Sequence, residues 1–345
     1  MKSNYISTLT LNSTPRNSLA KLQAELAKSS EELSTGMRAD VSLDLGVRSD
    51  ASATLRNQKA NLQSMIDNNT SIATQLSTTQ NGLDDLRTNA QSMLNSLISL
   101  DHTSAGTSTL SNDAAMKLDS MISTLNVSDG RRFLFGGTKS GTAPMSSFGD
   151  GAQAALNTAF TAEFGVGPDD ASASSITAAQ MTDFLDGAFA GEFDDANWAA
   201  NWSSASDATR SSMISTSETI TTSISANETA MRKIAMAYSM VSEFVTSSLA
   251  DETRQVIVSK AQNLLGEGIA GLTEMGAQIG SAEARITAVN DMMSRASDNT
   301  DTKLSTLEAV DPAETKTKVD LLTTQIEMSY SLTSQMLKLS IINYV

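Results

Sequence analysis

The stretch LRNQKANLQSMIDNNTSIATQLSTTQNGLDDLRTNAQSMLNSLISL, residues 55–100, decides how the rest of the chain is read. Alternate steps of three and four residues from Leu55 reach Leu62, Met65, Ile72, Leu76, Leu83, Leu86, Ala90, Met93, Leu97 and Leu100. Gln58, Asn69 and Thr79 are the polar interruptions on that seam. An apolar seam held over so many heptads is the pattern of a coiled coil or a long bundle helix. At 1.5 Å per residue, a helix over 51–100 would be about 75 Å long. A helix of that length cannot bury its stripe alone and needs a partner.

The partner is legible further along. Leu272, Met275, Ile279, Ala282, Ile286, Val289 and Met293 form a second seam, preceded by Met231, Ile234, Tyr238, Val241 and Val245 at the same spacing. The N- and C-terminal thirds are therefore expected to pack side by side, which brings the chain ends together. The prolines, Pro15, Pro144, Pro168 and Pro312, leave both spans free of helix breakers.

Two more helices are expected at the extremities. Thr14-Pro15 offers a cap followed by proline at the first helical position, with Leu19, Leu22, Leu26 and Leu33 on one face. Asp311-Pro312-Ala313-Glu314 repeats that start, with Val319, Leu322, Ile326, Tyr330, Leu337 and Ile341 as its apolar face. Amphipathic helices of this kind are marginal alone in water, so both ends are expected to be mobile in a free monomer. Between the arms the texture changes to Gly, Ala, Ser, Thr and Asp, with both tryptophans. There, 179–189 could form a short helix, Trp198 and Trp202 lie one helical turn apart, and Ile220, Thr222 and Ile224 alternate as in a strand.

The expected fold is mainly α: long N- and C-terminal helices packed as a coiled-coil-like rod, with a small mixed α/β insertion in the middle. Its parts are terminal helices at 1–38 and 310–345, a helical rod from 39–135 and 226–309, and a solvent-facing insertion over 136–225. A self-contained bundle with a decorated loop is the competing arrangement.

The composition narrows the chemistry. Among 345 residues, Lys plus Arg number 24 against 39 Asp plus Glu, a formal charge of −15. That balance argues against sequence-independent nucleic-acid binding and against docking on an anionic membrane. There is no cysteine, and His102 is the single histidine, so disulfides, thiolate chemistry and His-rich zinc sites are excluded. Gly136-Gly137-Thr138-Lys139-Ser140 fails as a phosphate loop, because Thr138 stands where a glycine must precede the lysine. Asp101-His102 beside a Ser/Thr-rich segment does not make a triad, which is defined by geometry. The pairs Asp84-Asp85, Asp169-Asp170 and Asp194-Asp195 lack calcium-loop spacing and read as solvated faces. Methionines such as Met65, Met93 and Met275 fall on the seams and read as core. No catalytic, cofactor-binding or metal-binding constellation is expected, and the chain reads as an assembly subunit rather than an enzyme.

A resemblance sharpens this. The run from Leu19-Ala20-Lys21-Leu22 through Leu33-Ser34-Thr35-Gly36-Met37-Arg38, then 44–50 and the seam from Leu55, resembles the N-terminal region of bacterial flagellins. Ile279-Gly280, Arg285-Ile286 and the closing helix to Val345 resemble the flagellin C-terminal arm. Within that superfamily, Asp129-Gly130-Arg131-Arg132-Phe133-Leu134-Phe135-Gly136-Gly137-Thr138 looks like the signature of the hook–filament junction branch, carried here by Arg132, Phe133, Leu134, Phe135, Gly137 and Thr138. The ending Leu339-Ser340-Ile341-Ile342-Asn343-Tyr344-Val345 is similar to that branch's apolar tail. The turn after Arg38 departs from it, lacking the Pro-Ser-Asp-Asp-Pro-like run that many of its members carry.

The resemblance implies a subunit of the bacterial flagellum exported without a cleavable signal peptide through the flagellar type III apparatus. Its termini would form an inner layer around a channel. Expected partners are copies of itself in a ring or helical assembly, a neighbouring hook-associated protein, flagellin and an export chaperone. The terminal leucine stripes would carry the assembly contacts. A filament-forming flagellin is the alternative, and a helical signalling or adhesion module a distant one.

Overall fold

The computed structural model describes residues 8–99, 104–245 and 248–342, with side chains described for 16–99, 106–245 and 248–335. His102, the 343–345 end of the apolar tail and the side chains of Leu337 and Ile341 lie outside the described residues. Helix accounts for 76% of the chain, with long helices towards both ends and one two-stranded sheet in the middle, so the fold is mainly α as expected. The chain folds into two compact units, one of 1–64 with 292–345, the other of 65–291.

Helix α1 runs over Thr8–Thr35, α2 over Val41–Leu45, α3 over Ser49–Ile98 and α4 over Ser104–Leu125. The middle holds α5 (Ala152–Phe164), α6 (Ala178–Asp186), α7 (Ala188–Gly191) and α8 (Asp195–Asn201), followed by β1 (Ser211–Ser215) and β2 (Glu218–Thr221). Then come α9 (Thr229–Phe244), α10 (Asp251–Glu308) and α11 (Pro312–Ile342).

In the 65–291 unit, parts of four helices enclose the core. From Ile72 to Leu97 the seam of α3 is buried, and Leu272, Ile279, Ile286 and Val289 of α10 are buried with it. Asn89 and Ser92 of α3 bond Ser120 and Lys117 of α4, and Ser111 of α4 donates to the Ser242 carbonyl of α9 at 2.7 Å. Gly268 and Gly271 of α10 lie so close to Ile234 and Ala230 of α9 that a Cβ on Gly271 would stand 2.7 Å from the Ala230 Cβ. Two of the three polar interruptions on the α3 seam lie inside this unit and form hydrogen bonds, while Gln58 is exposed. Buried Asn69 donates to the Ile214 carbonyl at 2.8 Å and to the Asn290 side chain at 2.9 Å. Thr79 turns back on the Gln75 carbonyl.

The central residues form a second, aromatic core. Phe160 stacks on Phe244 at 5.0 Å with Phe184 edge-on, and Trp198 stacks on Trp202 at 5.3 Å. Asn227 orders the tryptophans by accepting from Trp198 Nε1 and the Ser203 hydroxyl. Three local expectations are corrected here. The 179–189 helix breaks at Gly187 into α6 and α7. Of the alternating trio only Ile220 lies in a strand, pairing with Ser212 across an antiparallel hairpin. Helix α1 starts at Thr8 and runs through Pro15 rather than beginning there.

The α11 start follows expectation. The Asp311 carboxylate accepts from the backbone N–H groups of Ala313 and Glu314 at 2.8 and 3.3 Å, completing the cap with Pro312 at the first helical position.

Candidate assembly interface

In the unit of 1–64 and 292–345, α1 and α11 pack against each other along their length. Two lateral links set the pairing: Lys318 reaches Glu25 at 2.6 Å, and Gln23 donates to the Tyr330 hydroxyl at 2.9 Å. At the turn that follows α1, Gly36 adopts a left-handed φ of +73°. There the Arg38 N–H donates to the Glu308 carbonyl, and the Val310 N–H to the Gly36 carbonyl.

Beneath that turn lies a polar cluster. The Glu308 carboxylate, only 1% exposed, accepts from Arg56 Nε at 2.9 Å and Nη2 at 2.6 Å, and from the Ser52 hydroxyl. The Arg56 hydrogen bond, joined by that of Ser52, holds the Glu308 carboxyl below the ordinary carboxylate range against the opposing effect of burial. Glu32 is buried nearby and accepts from the Ala39 N–H at 3.2 Å. The cluster lies beyond the ends of both apolar seams, one step before the first and four steps after the second. Ser52 lies three residues before Leu55, and continuing the α10 seam past Met293 by steps of three and four leads through Thr300 and Leu304 to Glu308.

The stripes expected to carry assembly are divided by the structure. Leu19, Leu22, Leu26 and Val319 are half-buried, Leu322 and Ile326 are buried, and Leu33 and Tyr330 are exposed. Beside the buried positions of α11 runs a second stripe that the heptad reading left out: Leu321, Met328 and Leu332, each more than half exposed. They repeat at seven and four residues and so share one face of the helix. Leu43 and Val47, at 77% and 98% exposure, add apolar surface around α2.

The 129–138 stretch folds as a tie within the other unit. The Asp129 carboxylate accepts from the Arg131 and Arg132 N–H groups at 2.9 and 2.7 Å, closing a tight turn. Phe135 is fully buried beneath Gly82 of α3, where a Cβ would meet its ring at 3.1 Å, and Leu134 is buried beside it. The Phe135 carbonyl accepts from the Ala226 N–H at 2.7 Å, the Gly137 N–H donates to Ile224, and the Thr138 N–H donates to Ala208. Gly137 has φ of +61°, and a Cβ there would lie 2.3 Å from the Ser206 carbonyl oxygen. Phe133 is half-buried, while Arg132 and Thr138 are exposed. Glycine is required by this packing, and the segment has the form of a structural turn and not of a phosphate cradle.

The acidic pairs are engaged locally: Asp84 with Arg87, Asp170 with the Ser172 N–H and Asp195 with Arg232. Among the described residues no group of three His, Asp or Glu side chains is placed to hold a metal ion, and no helix is long and apolar enough to cross a membrane.

Residues 6–140 match the bacterial flagellin N-terminal helical region, and 262–345 match the bacterial flagellin C-terminal helical region. The two halves of one family's signature thus bracket the chain in the right order and cover more than half of it. The chain belongs to the flagellin superfamily.

Among solved structures, a Vibrio parahaemolyticus protein assigned to the flagellar hook-associated class shares the fold at a TM-score of 0.54 and 14% identity, covering 75% of this chain and 97% of that one. No curated protein matches the chain in sequence. Members of the flagellin family are structural, non-enzymatic proteins that self-assemble and associate with other flagellar components. This chain is accordingly a structural component of the flagellum. The paired α1 and α11 fall within the two matched flagellin regions, and the 129–138 turn lies at the end of the N-terminal one.

Proposed function

We propose that this flagellin-superfamily chain joins hook to filament and templates the addition of flagellin. The observation that carries this reading is the 129–138 stretch, which resembles the junction-branch signature and whose Phe135 and Gly137 are built into the core rather than hung on a loop. The fold shared with a protein assigned to the hook-associated class agrees with it.

The mechanism is one of matched surfaces. A subunit at a junction offers one face to a hook-associated neighbour and a flagellin-like face to the filament. Head-to-tail contacts that do not close on themselves then extend the structure. The antiparallel pair α1 and α11 supplies the flagellin-like face. Leu322 and Ile326, with Leu19, Leu22 and Leu26, hold the pair together, and Leu321, Met328, Tyr330 and Leu332 meet the next subunit. Leu337 and Ile341 extend the terminal stripe. The terminal helices 1–38 and 310–345 form the inner layer, 39–135 with 226–309 the layer around it, and 136–225 faces solvent. Export runs through the flagellar apparatus, with a chaperone covering the exposed apolar face of α11 before assembly.

Deletion of the gene tests the role. Hooks without filaments, with flagellin lost to the medium, are expected. Bare hooks with little flagellin outside would assign the chain to the filament itself. The surface is tested by Leu321→Asp with Leu332→Asp, which should leave helix content intact and abolish incorporation into flagella.

A further inference from the structure

A recess of about 410 Å³ in the 65–291 unit is walled by α3, the 129–132 turn and the β1–β2 hairpin. Three guanidinium groups line it, those of Arg131, Arg132 and Arg210, against the single carboxylate of Asp129. This concentration of positive charge stands in a chain of net charge −15.

Among the described residues none of the three guanidinium groups is hydrogen-bonded to a carboxylate, and the one nearby charge, that of Asp129, is shared among all three. Asp129 spends its oxygens on its own turn, on the N–H groups of Arg131 and Arg132, and on Gln75 Nε2 at 3.0 Å. Burial raises its carboxyl, but those N–H groups and the neighbouring arginine charges outweigh it and hold it below the ordinary value. Arg210 is half-buried, and its Nε is shut off from solvent with no hydrogen-bond partner. Burial, then the charge of Arg132, destabilises its protonated form, with Asp129 opposing. A shielded guanidinium nitrogen without an acceptor is costly, and like charges gathered in one recess add to that cost. Both penalties are relieved by an incoming oxyanion, which a planar guanidinium fork can grip with two bonds. The recess floor offers further donors in Ser212 and Thr222, whose hydroxyls now bond only each other and the Arg210 carbonyl.

We propose that this recess receives an acidic side chain of a neighbouring copy of the chain, as an electrostatic socket between subunits. The volume suits one or two carboxylate side chains rather than a helix. With 39 Asp and Glu per copy, a second copy is the partner whose charge complements it. The inference rests on the chain assembling with its own kind and is independent of its place along the flagellum.

Two measurements on the full-length chain test it. In the first, inorganic phosphate is titrated into the labelled monomer and followed by NMR. Amides of 130–132 and 210–212 should shift, and Arg132→Gln with Arg210→Gln should weaken binding about tenfold or more. Among the described residues neither arginine side chain makes a hydrogen bond, and losing their mutual repulsion does not destabilise the monomer, so a thermal midpoint that does not fall serves as the fold control. In the second, Arg132→Glu with Arg210→Glu is the only copy in cells, and its presence in isolated flagella is compared with that of the wild type. Loss of incorporation despite normal secretion is expected.

Phosphate binding with undiminished incorporation would overturn the subunit socket and leave a site for a free anion. Absence of phosphate binding overturns the site itself, whatever incorporation shows. A wild-type chain found along the filament rather than at its base would sink the junction role without touching this inference.

Discussion

Gly137 in the 65–291 unit and Gly36 in the unit of 1–64 and 292–345 share a left-handed backbone, at φ of +61° and +73°. A Cβ on Gly137 would stand 2.3 Å from one carbonyl oxygen and 2.8 Å from another, whereas a Cβ on Gly36 would meet nothing within 4 Å. The same contrast runs through both units. One fills its interior with Leu83, Leu86, Met93, Phe135, Phe244 and Trp198, all essentially inaccessible. The other closes over Glu308, Ser52, Glu32 and Ser29 while exposing Leu43, Val47, Leu321, Met328 and Leu332. Nine of the twelve large apolar side chains that stand exposed among the described residues belong to this second unit. The apolar surface is thus concentrated in one unit and the self-sufficient core in the other, the division expected if, as proposed, neighbouring subunits complete the first.

The hardest way to break the comparison is Gly137→Ala. It combines a left-handed backbone penalty of about 1–2 kcal/mol with overlap onto two carbonyls that belong to backbone and cannot rotate away. We expect a loss of about 4 kcal/mol or more, read as a lower denaturation midpoint of the 65–291 unit. Gly36→Ala carries the backbone penalty alone, about 1–2 kcal/mol, and should loosen only α1 in hydrogen exchange. Equal effects at the two glycines would erase the distinction drawn here.

Next in size is the Glu308 cluster. Arg56→Met leaves a buried carboxylate with Ser52 as its remaining side-chain donor. A loss of about 2 kcal/mol is expected, less than for a fully buried pair because Arg56 itself is half-exposed. The pH dependence follows from the lowered Glu308 pKa. The contribution is fully present above the unfolded value of about 4.5 and disappears as the pH falls through the lower folded value. Glu25 and Asp44, lowered by their hydrogen bonds to Lys318 and Lys28, act in the same direction. Acid should therefore release protection in α1 and α11 early. The wild type and Arg56→Met should converge in stability there, and a gap that persists at low pH would place the Arg56 effect in packing rather than charge.

The long helices and the α11 cap were legible because heptad spacing and the Asp311-Pro312 start are local signals, whereas Thr14-Pro15 gave a similar signal inside a helix that begins at Thr8. The buried side of α11 was legible too, since Leu322 and Ile326 lie on the expected stripe. The outward stripe of Leu321, Met328 and Leu332 was not, because a helix carrying two adjacent apolar stripes gives no sign from periodicity alone of which one its own chain covers. Arg210 escaped for a different reason. It gains its place only when the hairpin brings it across from Arg131 and Arg132, some eighty residues earlier, and no local pattern encodes that meeting. The hairpin itself was half-read, because the alternation at Ile220, Thr222 and Ile224 outlasts β2: one more backbone bond, from Thr222 to Arg210, follows the strand, and Ile224 then accepts from Gly137 instead.

The smallest effect on the monomer should come from Val47→Asp. Val47 is 98% exposed in the short turn after α2, in a segment where its neighbour Leu45 is buried and holds the turn in place. An exposed side chain that touches nothing can be exchanged within about 0.5 kcal/mol, so the thermal midpoint should stay where it is. If apolar exposure in this unit exists for neighbouring subunits, the same substitution must still weaken incorporation, because it puts a charge into a surface that is to lose its water. A monomer of unchanged stability that assembles poorly is the expected pairing. Full assembly of Val47→Asp would remove the α2 region from the interface and confine it to α1 and α11.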